Sequence, residues 1–141
     1  MPDIKQKIVQ TIKNSQPALL ATITPQGKPW VRYVTLRDKE DFPLAFCTDL
    51  RSRKVRDIQA NPEVHITCGN LKPPDDSVYL QIEGQASVSQ DPEIKASYWN
   101  EEWLRYFKGK DDPNYVIVEV APYRIEYYGS GSFKPEIWKN K

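Results

Sequence analysis

Val78-Tyr-Leu-Gln-Ile-Glu-Gly-Gln-Ala-Ser-Val88 is the stretch that decides the fold. Val78, Leu80, Ile82, Gly84, Ala86 and Val88 share one face of an extended chain, and Tyr79, Gln81, Glu83 and Gln85 share the other. So long an amphipathic strand, with a glycine in its middle, predicts a curved barrel strand. Upstream, Val64 to Cys68 reads as a strand and Leu71 to Asp76 as a loop. Before them Asp49 can cap a helix from about Leu50 to Ala60, with Val55 and Ile58 inward, and Asn61-Pro62 stops it. Leu44 to Thr48 is a further strand, preceded by a charged loop, Arg37 to Asp41.

Nearer the N-terminus, Ala18 to Thr24 and Trp30 to about Arg37 form a hairpin around the turn signal Pro25-Gln26-Gly27. Ile4, Ile8 and Ile12 repeat every four residues and predict a helix over 3–15, ended by Pro17. Downstream, Asp91-Pro92 opens a helix that runs through Trp99 and Trp103 to about Tyr106. A polar loop, Phe107 to Asn114, leads to a last core strand, Tyr115 to Val120, extended after Pro122 by Tyr123, Ile125 and Tyr127. The tail from Gly129 reads as irregular. No repeat or linker divides the chain, so residues 1–141 form one domain, mainly β with flanking helices. The expected architecture is a six- to seven-stranded antiparallel β-barrel.

Bulk composition excludes more than it selects. A net charge of +1 gives no push toward nucleic acid or membrane, and no apolar run approaches the roughly 20 residues of a spanning helix. The N-terminus, MPDIKQKIVQ, lacks the apolar centre of a secretory signal, so a cytoplasmic location is expected. Cys47 and Cys68 lie in apolar strands without close spacing and read as buried free thiols. With His65 the only histidine, ligands for a metal site are scarce. Four Trp and eight Tyr suit a planar ligand, and equally a core or an interface.

Chemistry concentrates in Thr48-Asp-Leu-Arg-Ser-Arg-Lys54. It places a hydroxyl at a strand end and then Ser52, Arg53 and Lys54 in the first turn of a helix. Cations there oppose the helix dipole, unless an anion sits between them and the free N–H groups. Arg53 can grip a phosphate with two prongs and Lys54 can act as a point charge. A solvated basic face is the alternative, since Arg51 and Arg56 lie close in sequence. Arg32 shares a strand face with Trp30, Val34 and Leu36, which read as inward. Burial of an unpaired guanidinium costs several kcal/mol. Its partner is either a ligand phosphate or a carboxylate such as Glu83.

The pattern Trp30-x-Arg32, Phe46-x-Thr48-x-x-x-Ser52-Arg53-Lys54, Ile58-x-x-Asn61-Pro62-x-Val64 resembles the flavin-mononucleotide (FMN) signature of the pyridoxamine-5′-phosphate-oxidase-like split barrels. Ile82-Glu83-Gly84 agrees with it. Phe107-x-Gly-x-Asp-Asp-Pro-x-Tyr115 is similar to the short general-stress-protein branch of that family. The resemblance covers the chain from about Ile8 to Tyr128 and implies an FMN-binding split β-barrel. By the same resemblance Arg32, Ser52, Arg53 and Lys54 hold the flavin phosphate, with Thr48 close by. The backbone of Tyr33, Val34 and Thr35 borders the isoalloxazine ring, and Tyr79 reaches the flavin. It also implies a homodimer with flavin sites at the interface, to which the partner's copies of Trp99 and Trp103 are candidate contributors. Plain packing at helical spacing is the other reading of those two indoles.

Two departures restrict the function. The vitamin-B6 oxidases end in an Arg-x-His-type segment that grips a phosphorylated substrate, whereas this tail reads Tyr127-Tyr-Gly-Ser-Gly-Ser-Phe-Lys-Pro135. Pyridoxamine-phosphate oxidation is therefore not expected. Related short chains also often carry Trp where Tyr128 stands. No residue forms a convincing acid–base pair or nucleophile, so the catalytic residues are unassigned. The expected activity is hydride transfer at the flavin with a small-molecule redox substrate. A reservoir protein that holds flavin without turnover is the alternative, and a deazaflavin (F420) is the alternative cofactor.

Overall fold

β6 (Val78–Ser89) lies at the centre of one antiparallel sheet in a computed structural model that describes residues 2–39, 41–72 and 76–140. The other strands are β1 (Ala18–Ile23), β2 (Pro29–Val34), β3 (Arg37–Lys39), β4 (Asp41–Asp49), β5 (Glu63–Asn70), β7 (Tyr115–Tyr128) and β8 (Glu136–Lys139). The order is β2-β1-β5-β6-β7-β4-β3, with β8 added along the C-terminal half of β7. The two ends of that seven-strand path, β2 and β3, are separated in sequence only by Thr35 and Leu36. So short a link forces the sheet to curl until its edges approach, without a hydrogen-bonded closure among the described residues. The result is a split β-barrel.

The predicted alternation in β6 is the alternation of burial. Leu80, Ile82, Gly84 and Ala86 are buried, while Gln81 and Glu83 are half-buried and Gln85 exposed. The curvature comes from a bulge opposite Gly84: Glu83 pairs with Arg124 but Gly84 pairs with Pro122, so Tyr123 is an extra residue on β7. Inside the barrel, Leu20, Leu44, Phe46, Ile66, Leu80, Ile82, Val118 and Ile125 form the core. The amphipathic helix α1 (Ile4–Asn14) adds Ile8 and Ile12 to it. Asp3 and Gln6 close a capping box at its start, and Lys7 pairs with Glu136 on β8 at 3.1 Å.

A second cluster lies outside the barrel wall, where Ala45, Phe107, Tyr115 and Ile117 are covered by Ile94, Tyr98, Trp99 and Trp103. Lys95 is buried beside it and donates from Nζ to the Asp112 carbonyl at 3.0 Å. No helix among the described residues is long and apolar enough to cross a membrane.

The structure corrects four local readings. Arg37 to Lys39 is not loop but strand β3, paired with β4. The helix expected from Leu50 starts later, as α2 (Arg53–Ala60), because Asp49 bonds the Arg51 N–H and guanidinium in a local turn and Ser52 takes the cap position. The helix expected to run to Tyr106 stops as α3 (Pro92–Tyr98), and Asn100 caps a separate 3-10 turn, Glu101–Arg105. The tail contains β8, whose pairing is supplied by β7. The expected extension past Pro122 is present: β7 runs through it, since the bulge there needs no N–H from it. The loop expected over Leu71 to Asp76 falls partly on residues 73–75, outside the described residues.

Candidate functional site

The seam between the sheet edges is a cleft of about 350 Å³ lined by Pro17, Tyr33, Val34, Thr35, Arg37, Cys47, Lys54 and Trp103. Its walls follow from the topology. β2 ends at Val34, the link carries Thr35 and Leu36, and β3 begins at Arg37. Gln16 holds the link by accepting the Leu36 N–H at 2.7 Å on Oε1. The start of α2 brings Lys54 to the same place.

Around Lys54 the chain gathers cations and hydroxyls. Lys54 Nζ donates to Thr48 Oγ1 at 3.0 Å, and Thr48 Oγ1 lies 3.3 Å from Ser52 Oγ. Thr48 is buried and Lys54 half-buried. Burial lowers the Lys54 pKa, and the charge of Arg32 lowers it further. Arg53 is exposed, with its guanidinium 5.4 Å from the centre of the Trp30 ring. Among the described residues neither Arg53 nor Lys54 has a carboxylate within ion-pair distance. Ser52 makes no side-chain cap bond, so the first-turn N–H groups of α2 gain none from it.

Arg32 does have a carboxylate partner, and it is not Glu83. Its guanidinium donates to Thr22 Oγ1 at 2.7 Å and lies 3.5 Å from Asp57 Oδ2, which also accepts the Thr22 hydroxyl at 2.8 Å. Asp57 comes from the inward face of α2 and is buried. Glu83 pairs instead with Arg124 at 3.8 Å on the outer face. Burial lowers the Arg32 pKa, Asp57 opposes that, and Arg53 adds to it. The guanidinium remains charged.

Of the expected site residues, the structure brings Tyr33, Val34, Thr35, Lys54 and Trp103 to the cleft. Thr48 and Ser52 are bonded to or beside Lys54, and Arg32 and Arg53 flank the start of α2. Trp103 lines the cleft of its own chain, where Arg37 sits 5.6 Å from its ring centre. Trp99 packs edge-on against Trp103 and Tyr115 and does not line the cleft. Tyr79 does not line it either. Its ring stacks on Tyr128 with centroids 4.6 Å apart, beside a separate cavity reaching Phe133.

Trp30 shares the face of Arg32 and Val34, opposite buried Thr22, but near the end of its strand it is not buried as expected and is 45% exposed. Pro17, Arg37 and Cys47 also belong to the cleft, and the sequence reading missed them. Arg37 carries a usable signal, a cation directly after an alternating strand, which a charged-loop reading hides. Burial pushes the Cys47 thiol up to about 11, which favours its protonated form near neutral pH. Both cysteines are free, and no three metal-ligating side chains cluster among the described residues.

A split barrel with a cation-lined cleft at its seam is the class of protein that fold and site define. Residues 4–129 match the pyridoxamine 5′-phosphate oxidase family, and the chain belongs to that family. It is 33% identical over 133 residues to General stress protein 26 of Bacillus subtilis, covering 94% of each chain. The crystal structure of General stress protein 26 from Bacillus anthracis superposes with a TM-score of 0.82 at 31% identity, covering 97% of this chain and 98% of that one. A pyridoxamine 5′-phosphate oxidase-related, FMN binding protein from Nostoc punctiforme shares the fold, with a TM-score of 0.70 at 17% identity over 94% and 85% of the two chains.

Proposed function

We propose that this chain binds FMN in the seam cleft and works as a flavin-dependent oxidoreductase on a small-molecule substrate. The carrying observation is an unbalanced charge. Arg32, Arg53 and Lys54 supply three positive charges and Asp57 one negative, leaving two. A phosphate monoester carries about −1.5 to −2 at pH 7 and would balance them. The fold relative from Nostoc punctiforme, described as FMN binding, supports the same reading.

In this reading Arg53, Lys54 and the N–H groups of the first α2 turn hold the phosphate, while Arg32 faces it from Asp57. Tyr33 to Thr35 border the planar ring with their backbone, and Trp103 and Pro17 limit water on the other walls. When bound, the flavin would supply hydride-level redox chemistry at its N5. The chain's own side chains bind, orient and exclude water. Pyridoxamine-phosphate oxidation is not proposed, because the one histidine, His65, is bonded to Gln81 on the outer face and does not line the cleft.

The test is a titration with FMN followed by fluorescence and visible absorption. One flavin per chain is expected. Arg53→Ala with Lys54→Ala should weaken binding by about 3 kcal/mol, since two charge-assisted contacts are lost. No saturation up to about 100 μM, weaker than roughly −5.5 kcal/mol, would sink the flavin reading and put a deazaflavin next. A reservoir role is the second reading, favoured by a cleft whose lining, among the described residues, offers cations and a protonated thiol but no acid–base pair. Reduction of the bound flavin by NADH or NADPH and reoxidation by an acceptor would favour the enzyme, and failure of nicotinamide reduction the reservoir.

We further propose a homodimer in which each cleft is completed by the partner. Tyr79 and Tyr128 point outward from their own barrel and are the rings a partner would receive.

A further inference from the structure

Two of the contacts that join β2 to α2 are in step. Trp30 meets Arg53, and Arg32 meets Asp57. Residues 30 and 32 are successive same-face positions of a strand, about 6.6 Å apart. Residues 53 and 57 lie one helical turn apart, about 6 Å along the axis. The strand repeat and the helix repeat therefore nearly match, and each arginine of the pair is backed by a side chain from the opposite element. Arg32 is backed by a carboxylate. Arg53 has no carboxylate among the described residues, and what stands behind it is an indole face.

That arrangement explains an otherwise costly residue. β2 is an end strand of the sheet, and Trp30 on it is 45% exposed. Apolar bulk at an exposed edge invites association, and nothing in the barrel core needs it. Arg53 in turn is repelled by Arg32, and Arg32 by Arg53, so without support its long side chain would swing into solvent. A cation over an indole is held electrostatically while leaving all of its N–H donors free, which a carboxylate would not.

We propose that Trp30 is a positioning residue: it holds Arg53 at the phosphate end of the cleft and so sets the preference for phosphorylated over unphosphorylated flavin. This rests on the FMN reading above. Trp30 acts through Arg53 and not on the ring of the ligand, so it affects FMN and leaves riboflavin alone.

The test is the ratio of riboflavin to FMN dissociation constants in the full-length chain. Trp30→Leu keeps apolar bulk and removes the aromatic face. It should lower the ratio about two- to five-fold, the range of an exposed cation–π contact, entirely through FMN. Trp30→Phe keeps a weaker face and should restore part of the loss. In an Arg53→Ala background Trp30→Leu should change nothing further, since the residue it supports is gone. Equal weakening of both flavins, or the same drop in the ratio with and without Arg53, would overturn the proposal. A wild-type ratio near one would instead remove the phosphate reading itself, and this inference with it.

Discussion

At Lys54, burial and the neighbouring Arg32 both disfavour the charged ammonium, burial more strongly. The folded chain therefore binds this proton less tightly than the unfolded chain does. Stability then rises with pH as the group titrates between its lowered folded value and its ordinary value near 10.4. Below that window the charged lysine is a net burden on the unliganded fold, offset in part by its bond to Thr48. A bound phosphate reverses the balance. Lys54→Met should therefore leave the melting temperature of the free protein unchanged or raise it, while FMN affinity falls about tenfold or more. The stability gap between the variant and the wild type should close as pH approaches 10. A clear loss of stability in the free variant at pH 7 would show that Lys54 is structural. Arg32 also meets a burial cost, which Asp57 and the Thr22 hydroxyl offset in part.

β6 and β7 bend together at Gly84. A Cβ added there would lie 2.8 Å from Val120 Cγ1 and 3.0 Å from the Ala121 carbonyl, on the neighbouring strand at the bulge. Gly84→Ala should therefore lower stability by about 1–3 kcal/mol, read by denaturant unfolding, because the carbonyl is fixed by the ladder and the stiff Val120 side chain is fully buried. A change under about 0.5 kcal/mol would mean that the bulge can relax. This glycine was legible in the sequence, since one apolar face running through it required a curved strand. The same logic recovered β1, β5 and α1, whose patterns are local. β3 and β8 were not legible, because Arg37 to Lys39 and Glu136 to Lys139 carry no alternation and become strands only through β4 and β7. Trp99 and Trp103 have helical spacing, yet the helix between them breaks where Asn100 starts a new cap. In the candidate site, the place of Ser52 to Lys54 at the start of a helix was readable from the turn and periodicity around them. The Arg32–Asp57 pair joins residues far apart in sequence, and only the docking of α2 on β1 and β2 reveals it.

The outer face of the barrel is uneven across its width, and that decides how two copies would meet. Val31 lies opposite Ala21, Ala21 opposite His65, His65 opposite Glu83 and Glu83 opposite Arg124. The neighbouring row runs Tyr33, Leu19, Thr67, Gln81, Glu126. Directly paired residues share a face, so the β1–β2 side is apolar and the β5–β7 side is polar. Val31 and Tyr33 are 61% and 71% exposed on an end strand whose outer edge is unpaired in the described sheet. Such an edge needs cover. Tyr33 also lines the cleft, so a second copy laid over this side would border the cleft and bring outward rings such as Tyr79 toward it. Val31→Lys puts a charge into that cover while costing the isolated fold little, as an exposed site normally does. It should convert a dimer into a monomer by light scattering on a sizing column, and weaken FMN binding although Val31 lines no cleft. A variant that stays dimeric would place the interface elsewhere, and a wild-type monomer that binds FMN at full stoichiometry would show that each barrel completes its own site.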